Sequence, residues 1–335
     1  VSEMVTARAL IERREETFRL MKPGAGEWPR SVQLYGTDLN VMRAAVEMIG
    51  TEDLADHIDM NFGCPVPKVT RKGGGAALPY KRKLFASIVK SAVETAKPYG
   101  IPVTVKMRIG IDSDHKTYLE AADAAADAGV TWVALHARTA QQMYEGKADW
   151  SAIATLKEHL KPKGIPVLGN GDIWSGQDGV RMVEETGCDG VVVGRGCLGR
   201  PWLFKDLVNA FNGENSKVTP SLFEVREIMR RHAVLLMEFF EQEGRAMRDL
   251  RKHMAWYLKG FRVNRDLRAR FGMVASFGEL DYLLGQLEEQ PYPVEVAEGP
   301  RGRKSHARPV TLPDNWLADP FEIPAITIDD SVSGG

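Results

Sequence analysis

The chain has 335 residues, of which 44% are hydrophobic and 27% charged, and its formal net charge is −1. That length holds one large α/β domain plus a smaller one. No apolar run approaches the ~18 residues that span a membrane, no signal peptide opens the chain, and three scattered cysteines with no C-x-x-C pair argue against both a disulfide framework and a zinc site.

These features predict a cytoplasmic protein without a metal. The charge is unevenly spread: Arg245 to Arg270 holds nine Lys/Arg against two Asp/Glu, on an otherwise acidic chain. Such asymmetry steers a nucleic acid toward one surface, although a solvated helix face reads the same way.

In chain order, short β-rich runs alternate with amphipathic helical stretches. "VSEMV" opens the chain, and "SVQLYG" (31–36), "HIDMNFG" (57–63), "VTVKMRIG" (103–110), "WVALHAR" (132–138), "PVLGNGD" (166–172) and "GVVVGRG" (190–196) follow. Val/Ile/Leu-rich strands between helices imply a parallel sheet covered by helices. Polar groups recur at the strand ends: Gln33, Asn61, Cys64, Lys106, Arg108, His136, Arg138, Asn170, Asp172 and Arg195. Strand ends converge on one face of a (β/α)8 TIM barrel, where active sites lie, but spread along a crevice in a doubly wound sheet. Functional groups on six successive strand ends favour the barrel; seven strands are read here, so it is expected to lack its first strand and helix, whose place is before Val1. From about residue 216 long amphipathic helices replace the repeat, and from Gln290 the chain turns Pro-rich. The domain expectation is therefore a barrel over 1–215, a small all-α domain over 216–289 and a disordered tail over 290–335.

Several motifs carry chemistry. "GRGCLG" (194–199) matches G-x-G-x-x-G, but it closes the array instead of opening it, so a Rossmann reading is rejected. In a barrel, the last two strand loops commonly hold a phosphate, and "GNGD" (169–172) and "GRG" (194–196) fall there. Lys106 sits where an unpaired structural ammonium would be costly, and beside a flavin it could stabilise the reduced ring. Cys64 ends a buried run inside Asn61-Phe-Gly-Cys-Pro, followed by Lys68, Arg71, Lys72 and three glycines. A buried cysteine is usually a small hydrophobe, but a thiol near its ordinary pKa is also a proton donor at neutral pH.

Together, "DMNFGCP", "VKMRIG", "LHARTAQQMYEGKADW", "GNGDI" and "VGRGCLGRPWLF" resemble the tRNA-dihydrouridine synthase family, in family order over roughly residues 1–260. The pattern is closest to bacterial members. The resemblance implies an FMN-bound barrel, a helical domain that grips tRNA, and NADPH as reductant. Hydride passes from flavin N5 to uridine C6 while a cysteine protonates C5. Cys64 resembles that general acid, with Asn61 orienting the base beside it. Gln33, Lys106 and His136 resemble flavin-ring or active-site contacts. Asn170, Gly171, Asp172, Gly194 and Arg195 resemble ribityl and phosphate contacts. Arg138 resembles a contact to the substrate nucleotide.

The basic loop Lys68–Lys72 is expected to meet tRNA phosphates, its glycines allowing close approach. In the second domain, Met247, Leu250, Met254 and Leu258 are expected to face inward while Arg248, Arg251 and Lys252 reach solvent and tRNA. Family members begin with a strand ending in Pro-Met-(Ala/Gly), which this chain lacks, so codons upstream of Val1 are expected to encode it. A monomer is expected. Two other readings remain: an FMN barrel of the dihydroorotate dehydrogenase type, and a non-catalytic tRNA-binding protein.

Overall fold

The computed structural model describes residues 1–302 and 305–324. Among them, seven parallel strands form one sheet in sequence order: β1 (Val5–Thr6), β2 (Ser31–Tyr35), β3 (His57–Phe62), β4 (Val103–Arg108), β5 (Val133–His136), β6 (Val167–Asn170) and β7 (Gly190–Val192). Helices α1 (Ala7–Ile11) and α2 (Glu15–Met21) follow β1, and α3 (Leu39–Thr51) follows β2. Then α4 (Pro67–Thr70) and α5 (Arg82–Ala96) follow β3, while α6 (Tyr118–Ala128), α7 (Trp150–Leu160), α8 (Gly176–Thr186) and α9 (Leu203–Phe211) follow the last four strands. Parallel neighbours joined in sequence order through helices make the sheet of a TIM barrel, here of seven strands.

Local chemistry explains these elements. Asp38 caps α3 by accepting from the amides of Asn40 and Val41. Val41, Met42, Ala45, Val46 and Ile49 then repeat at helical spacing and bury one face of the helix. β3 and β4 are buried almost throughout because helices cover one side and the barrel interior lies on the other. Polar residues at alternate positions of these strands therefore point into the barrel, not to water.

The chain divides into two compact units, and the division differs from the expected boundary at 215. The first holds 1–171, 182–192 and the described residues from Ser305; the second holds 172–181 and 193–302. The second unit is helical, with α10 (Leu222–Phe240), α11 (Glu243–Tyr257), α12 (Arg265–Phe271), α13 (Phe277–Leu284) and α14 (Val294–Ala297). A reciprocal cap opens α10: the Ser221 hydroxyl accepts from the Glu224 amide, and the Glu224 carboxylate accepts from the Ser221 amide. Met247, Leu250, Met254 and Leu258 face inward as expected, none more than 2% exposed.

The expectation of disorder from Gln290 does not hold for the described part of that segment. Tyr292, Ala297, Arg301 and Trp316 are all buried. Large apolar anchors set among prolines supply burial, and the prolines lower the entropy lost on ordering. Residues 303–304 and 325–335 of the expected tail lie outside the described residues. No helix among the described residues is long and apolar enough to cross a membrane.

Candidate active site

The site of the first unit is built by strand register. Gln33 on β2 pairs with Asp59 on β3, and Asp59 pairs with Thr104 on β4. The buried Asp59 carboxylate accepts from Gln33 Nε2 at 2.6 Å and from the Thr104 hydroxyl at 2.7 Å. His57 Nε2 lies 2.9 Å from the same hydroxyl and its Nδ1 lies 2.6 Å from Ser31 Oγ, so the row is closed by hydrogen bonds. Burial holds the His57 ring below its ordinary pKa, against the nearby Asp59 charge.

This row hands its order on to Cys64. Gln33 Oε1 accepts from Asn61 Nδ2 at 2.7 Å. Asn61 Oδ1 then accepts from the Gly63 and Cys64 amides, each at 3.0 Å. A side-chain amide that closes the turn after its own strand fixes the backbone of the residue beyond it. Both ends of the Gln33 amide are thus engaged inside the protein, each with one further hydrogen-bonding position left. Gln33, expected to touch flavin, also orients Asn61.

Cys64 is 9% exposed. Burial pushes its thiol above the ordinary range, opposed by the Val66 amide and the Arg108 charge. Arg108, 3% exposed, donates Nε to Gly63 O at 2.9 Å and Nη1 to the Thr139 and Met143 carbonyls, both at 2.9 Å. Its guanidinium also lies 5.5 Å from the Tyr144 ring centre. The Cys64 carbonyl accepts from the Ala76 amide at 3.0 Å. Gly75 packs so closely that a Cβ there would sit 2.5 Å from Cys64 O, and its φ of +55° is left-handed. The run of glycines was expected to admit phosphates. At Gly75 the structure corrects this: the missing side chain admits the Cys64 backbone.

Lys106 is the register partner of Asn61, and the sequence β4–β5–β6 pairs Arg108 with His136 and His136 with Asn170. Lys106 Nζ donates to Asn170 Oδ1 at 3.1 Å, and Asn170 Nδ2 donates to Val192 O at 2.6 Å. Burial, assisted by Arg108, lowers the Lys106 ammonium to about 8, opposed by Asp59. His136 is buried with its ring centre 6.0 Å from Tyr144. Gly171 continues the strand end, and its carbonyl accepts from Trp150 Nε1 at 3.0 Å.

In the second unit, Arg195 Nη2 lies 3.5 Å from Asp172 Oδ1, and its guanidinium lies 5.3 Å from the Trp174 ring. A Cβ on Gly194 would meet nothing within 4 Å, whereas one on Gly196 would lie 2.1 Å from Ile173 O. Of the glycines in "GRG", the first faces open space and the second serves packing.

The expected RNA contacts separate into groups. Lys68 and Arg71 are exposed and Lys72 half-buried; Lys68 and Lys72, four residues apart, line a cleft with Thr6, Tyr35 and Thr37. Arg248 and Lys252 are exposed on α11, with Lys252 Nζ 3.1 Å from Asp249 Oδ1. Arg251 departs from the expectation: it is half-buried, and its Nε donates to Val274 O at 2.7 Å. Arg138 is 1% exposed, with Nε and Nη2 donating to the Glu145 and Gly146 carbonyls. It shapes the loop after β5 and does not reach the surface. Asp59, Thr104 and Tyr144 escaped the sequence reading. Asp59 was findable, since it lies two residues from Asn61 and so on the same face of β3.

A family model described as Dihydrouridine synthase (Dus) matches residues 1–290. The chain is 56% identical over 321 residues to a probable tRNA-dihydrouridine synthase of Mycobacterium tuberculosis, covering 96% of this chain and 82% of that protein. It is 53% identical over 337 residues to a probable tRNA-dihydrouridine synthase of Mycobacterium leprae, covering 100% and 87%. With tRNA-dihydrouridine synthase B of Pseudomonas putida it shares 36% identity over 272 residues, covering 81% and 78%. The strand-end residues around Cys64 and Lys106 thus sit in a barrel whose sequence is matched along almost all of its length, and the chain belongs to the dihydrouridine synthase family.

Proposed function

We propose that this protein reduces particular uridines of tRNA to 5,6-dihydrouridine, with FMN as its flavin, NADPH as reductant and the Cys64 thiol as proton donor to C5. Bound FMN, reduced by NADPH, supplies the hydride for C6. The residues present fit such a group. Within the first unit Lys106 offers an ammonium at the barrel interior and Gln33 retains one hydrogen-bonding position at each end of its amide; within the second, Gly194 faces open space beside the Arg195 cation. Lys106, Gln33 and His136 would hold the ring, and Asn170, Gly171, Asp172, Gly194 and Arg195 the ribityl and phosphate.

The observation that supports this reading most is the immobilised, buried Cys64. A raised pKa keeps its thiol protonated at neutral pH, as a general acid requires. The Asn61 carbonyl holds the Gly63 and Cys64 amides and thereby aims the thiol. Lys106 carries positive charge below about 8 and stabilises negative charge developing near it. The target uridine must leave its stack to reach such a site, which costs a few kcal/mol. Lys68, Arg71 and Lys72 on the barrel side, and Arg248 and Lys252 on the helical region 216–289, would take tRNA phosphates. The enzyme acts as a cytoplasmic monomer.

The test has two parts. The purified protein should show a flavin absorbance band that NADPH bleaches, and mass mapping should find dihydrouridine in tRNA treated with it. Cys64→Ala should retain NADPH oxidation while losing about 10²–10⁴-fold in dihydrouridine formation, the range for removing one general acid. Normal product formation by that variant would sink the role of Cys64.

A further inference from the structure

We infer that the segment 305–324 is a strap that holds the Cys64 loop closed, with Trp316 as a positioning residue for the thiol. This rests on the reading of Cys64 as the proton donor. The segment lies beyond the residues that the family model matches.

Its hydrogen bonds reach the glycine-rich loop and the start of α5, and the loop after β5, all in the first unit. The Trp316 indole is 6% exposed and donates Nε1 to Ala77 O at 3.0 Å. Its ring fills the space left by Gly73, where a Cβ would lie 2.3 Å from Trp316 Cη2. Tyr80 OH donates to Leu317 O at 2.8 Å, and the Arg82 amide donates to Pro320 O at 2.8 Å. Lys81, 1% exposed, donates Nζ to Asp319 O and to the Glu322 carboxylate, both at 2.8 Å, with its ammonium 5.2 Å from the Trp316 ring. Upstream, the Ala307 amide donates to the Glu145 carboxylate and the Arg308 amide donates to Gln141 O at 3.0 Å. Glu145 and Gln141 belong to the loop that Arg108 and Arg138 also hold.

The path from strap to thiol is short. Trp316 is packed on Gly73 and bonded to Ala77, and between them Ala76 N binds Cys64 O while Gly75 abuts Cys64. An indole buries a large apolar area in one rigid plane, so one residue can hold a loop of several. Without it, Gly73, Gly74 and Gly75 leave the loop free to open, since glycine loses more backbone freedom on ordering than any other residue.

The strap is tested by the rate at which iodoacetamide alkylates Cys64 in the full chain, read by mass spectrometry against Cys197 of the second unit as internal reference. Trp316→Ala should raise the Cys64 to Cys197 ratio at least about tenfold, because alkylation follows the population of the opened loop. Trp316→Phe keeps an aromatic ring but not the Nε1 donor, and should give a smaller rise. Circular dichroism and thermal unfolding establish that each variant is folded; if Trp316→Ala is not, Trp316→Phe and Glu322→Gln carry the test. An unchanged ratio in the folded variants overturns the strap. A raised ratio supports it, and does so even if the wild-type protein forms no dihydrouridine, an outcome that would refute the reaction and not the strap.

Discussion

In the first unit a set of polar groups lies inside. Asp59, Thr104, Arg108 and His136 are all buried; Thr104 donates to Asp59 across neighbouring strands, and Arg108 donates to loop carbonyls. In the second unit the interior around α10 and α11 is built from Leu222, Val225, Met229, Met247, Leu250 and Met254, and Arg248 and Lys252 stand outside. The first arrangement is suited to chemistry, because buried dipoles and charges act at low dielectric and cannot be replaced by water. The second is suited to holding a polyanion, because exposed cations keep their charge and act through counterion release. A change in the first unit should therefore alter the reaction, and a change on the surface of the second should alter affinity.

The sharpest way to break that contrast is Gly75→Ala. A methyl there meets the Cys64 carbonyl and forces a left-handed φ on alanine. The strain is about 1–3 kcal/mol, and a displacement of about 1 Å at the acid costs roughly a hundredfold in rate. Tm should fall and dihydrouridine formation should drop far more than FMN binding. If the variant turns over tRNA normally, the loop does not position Cys64.

A pH profile tests the buried charge next. Lys106 is lowered to about 8, so its ammonium is present below that pH and lost above it. The rate should fall by about tenfold per unit once pH exceeds 8, as for loss of one required proton. Burial shifts the Cys64 thiol the other way, toward keeping its proton. Lys106→Met should remove this limb of the profile; a limb that survives the substitution belongs to another group.

The smallest effects are expected on α11. Neutralising Arg248 and Lys252 together should weaken tRNA binding a few-fold and reduce the salt slope by about one for each phosphate no longer neutralised. Arg251→Met should leave the slope unchanged and lower stability by about 1 kcal/mol, the worth of its bond to Val274 O. Filter binding at two salt concentrations separates the two variants. Equal slopes for both would erase the distinction between outward and anchored arginines.

Much of this was legible from residue order. Val/Ile/Leu-rich runs between amphipathic stretches mark the strands, helical spacing marks the inward face of α11, and strand-end polar residues mark the catalytic face of a barrel. Less legible was how each side chain is used. Gln33, Arg138 and Arg251 look alike as polar residues near functional segments, yet only the fold shows their groups bonded to Asn61, to the Glu145 and Gly146 carbonyls and to the Val274 carbonyl.

The sequence alone determined the parallel sheet, the switch to an all-helical region and the identity of the strand-end groups, because these follow from periodicity and from chemistry carried by single residues. Tertiary structure alone decided what the glycines after Cys64 accommodate and where the Pro-rich segment goes. Trp316 and Gly73 are more than 240 positions apart in the chain and meet only because the strap returns to the barrel. No local pattern encodes such a pairing, since composition measures the average tendency of a segment to bury surface, whereas one indole in a fitted cavity is decided by its partner.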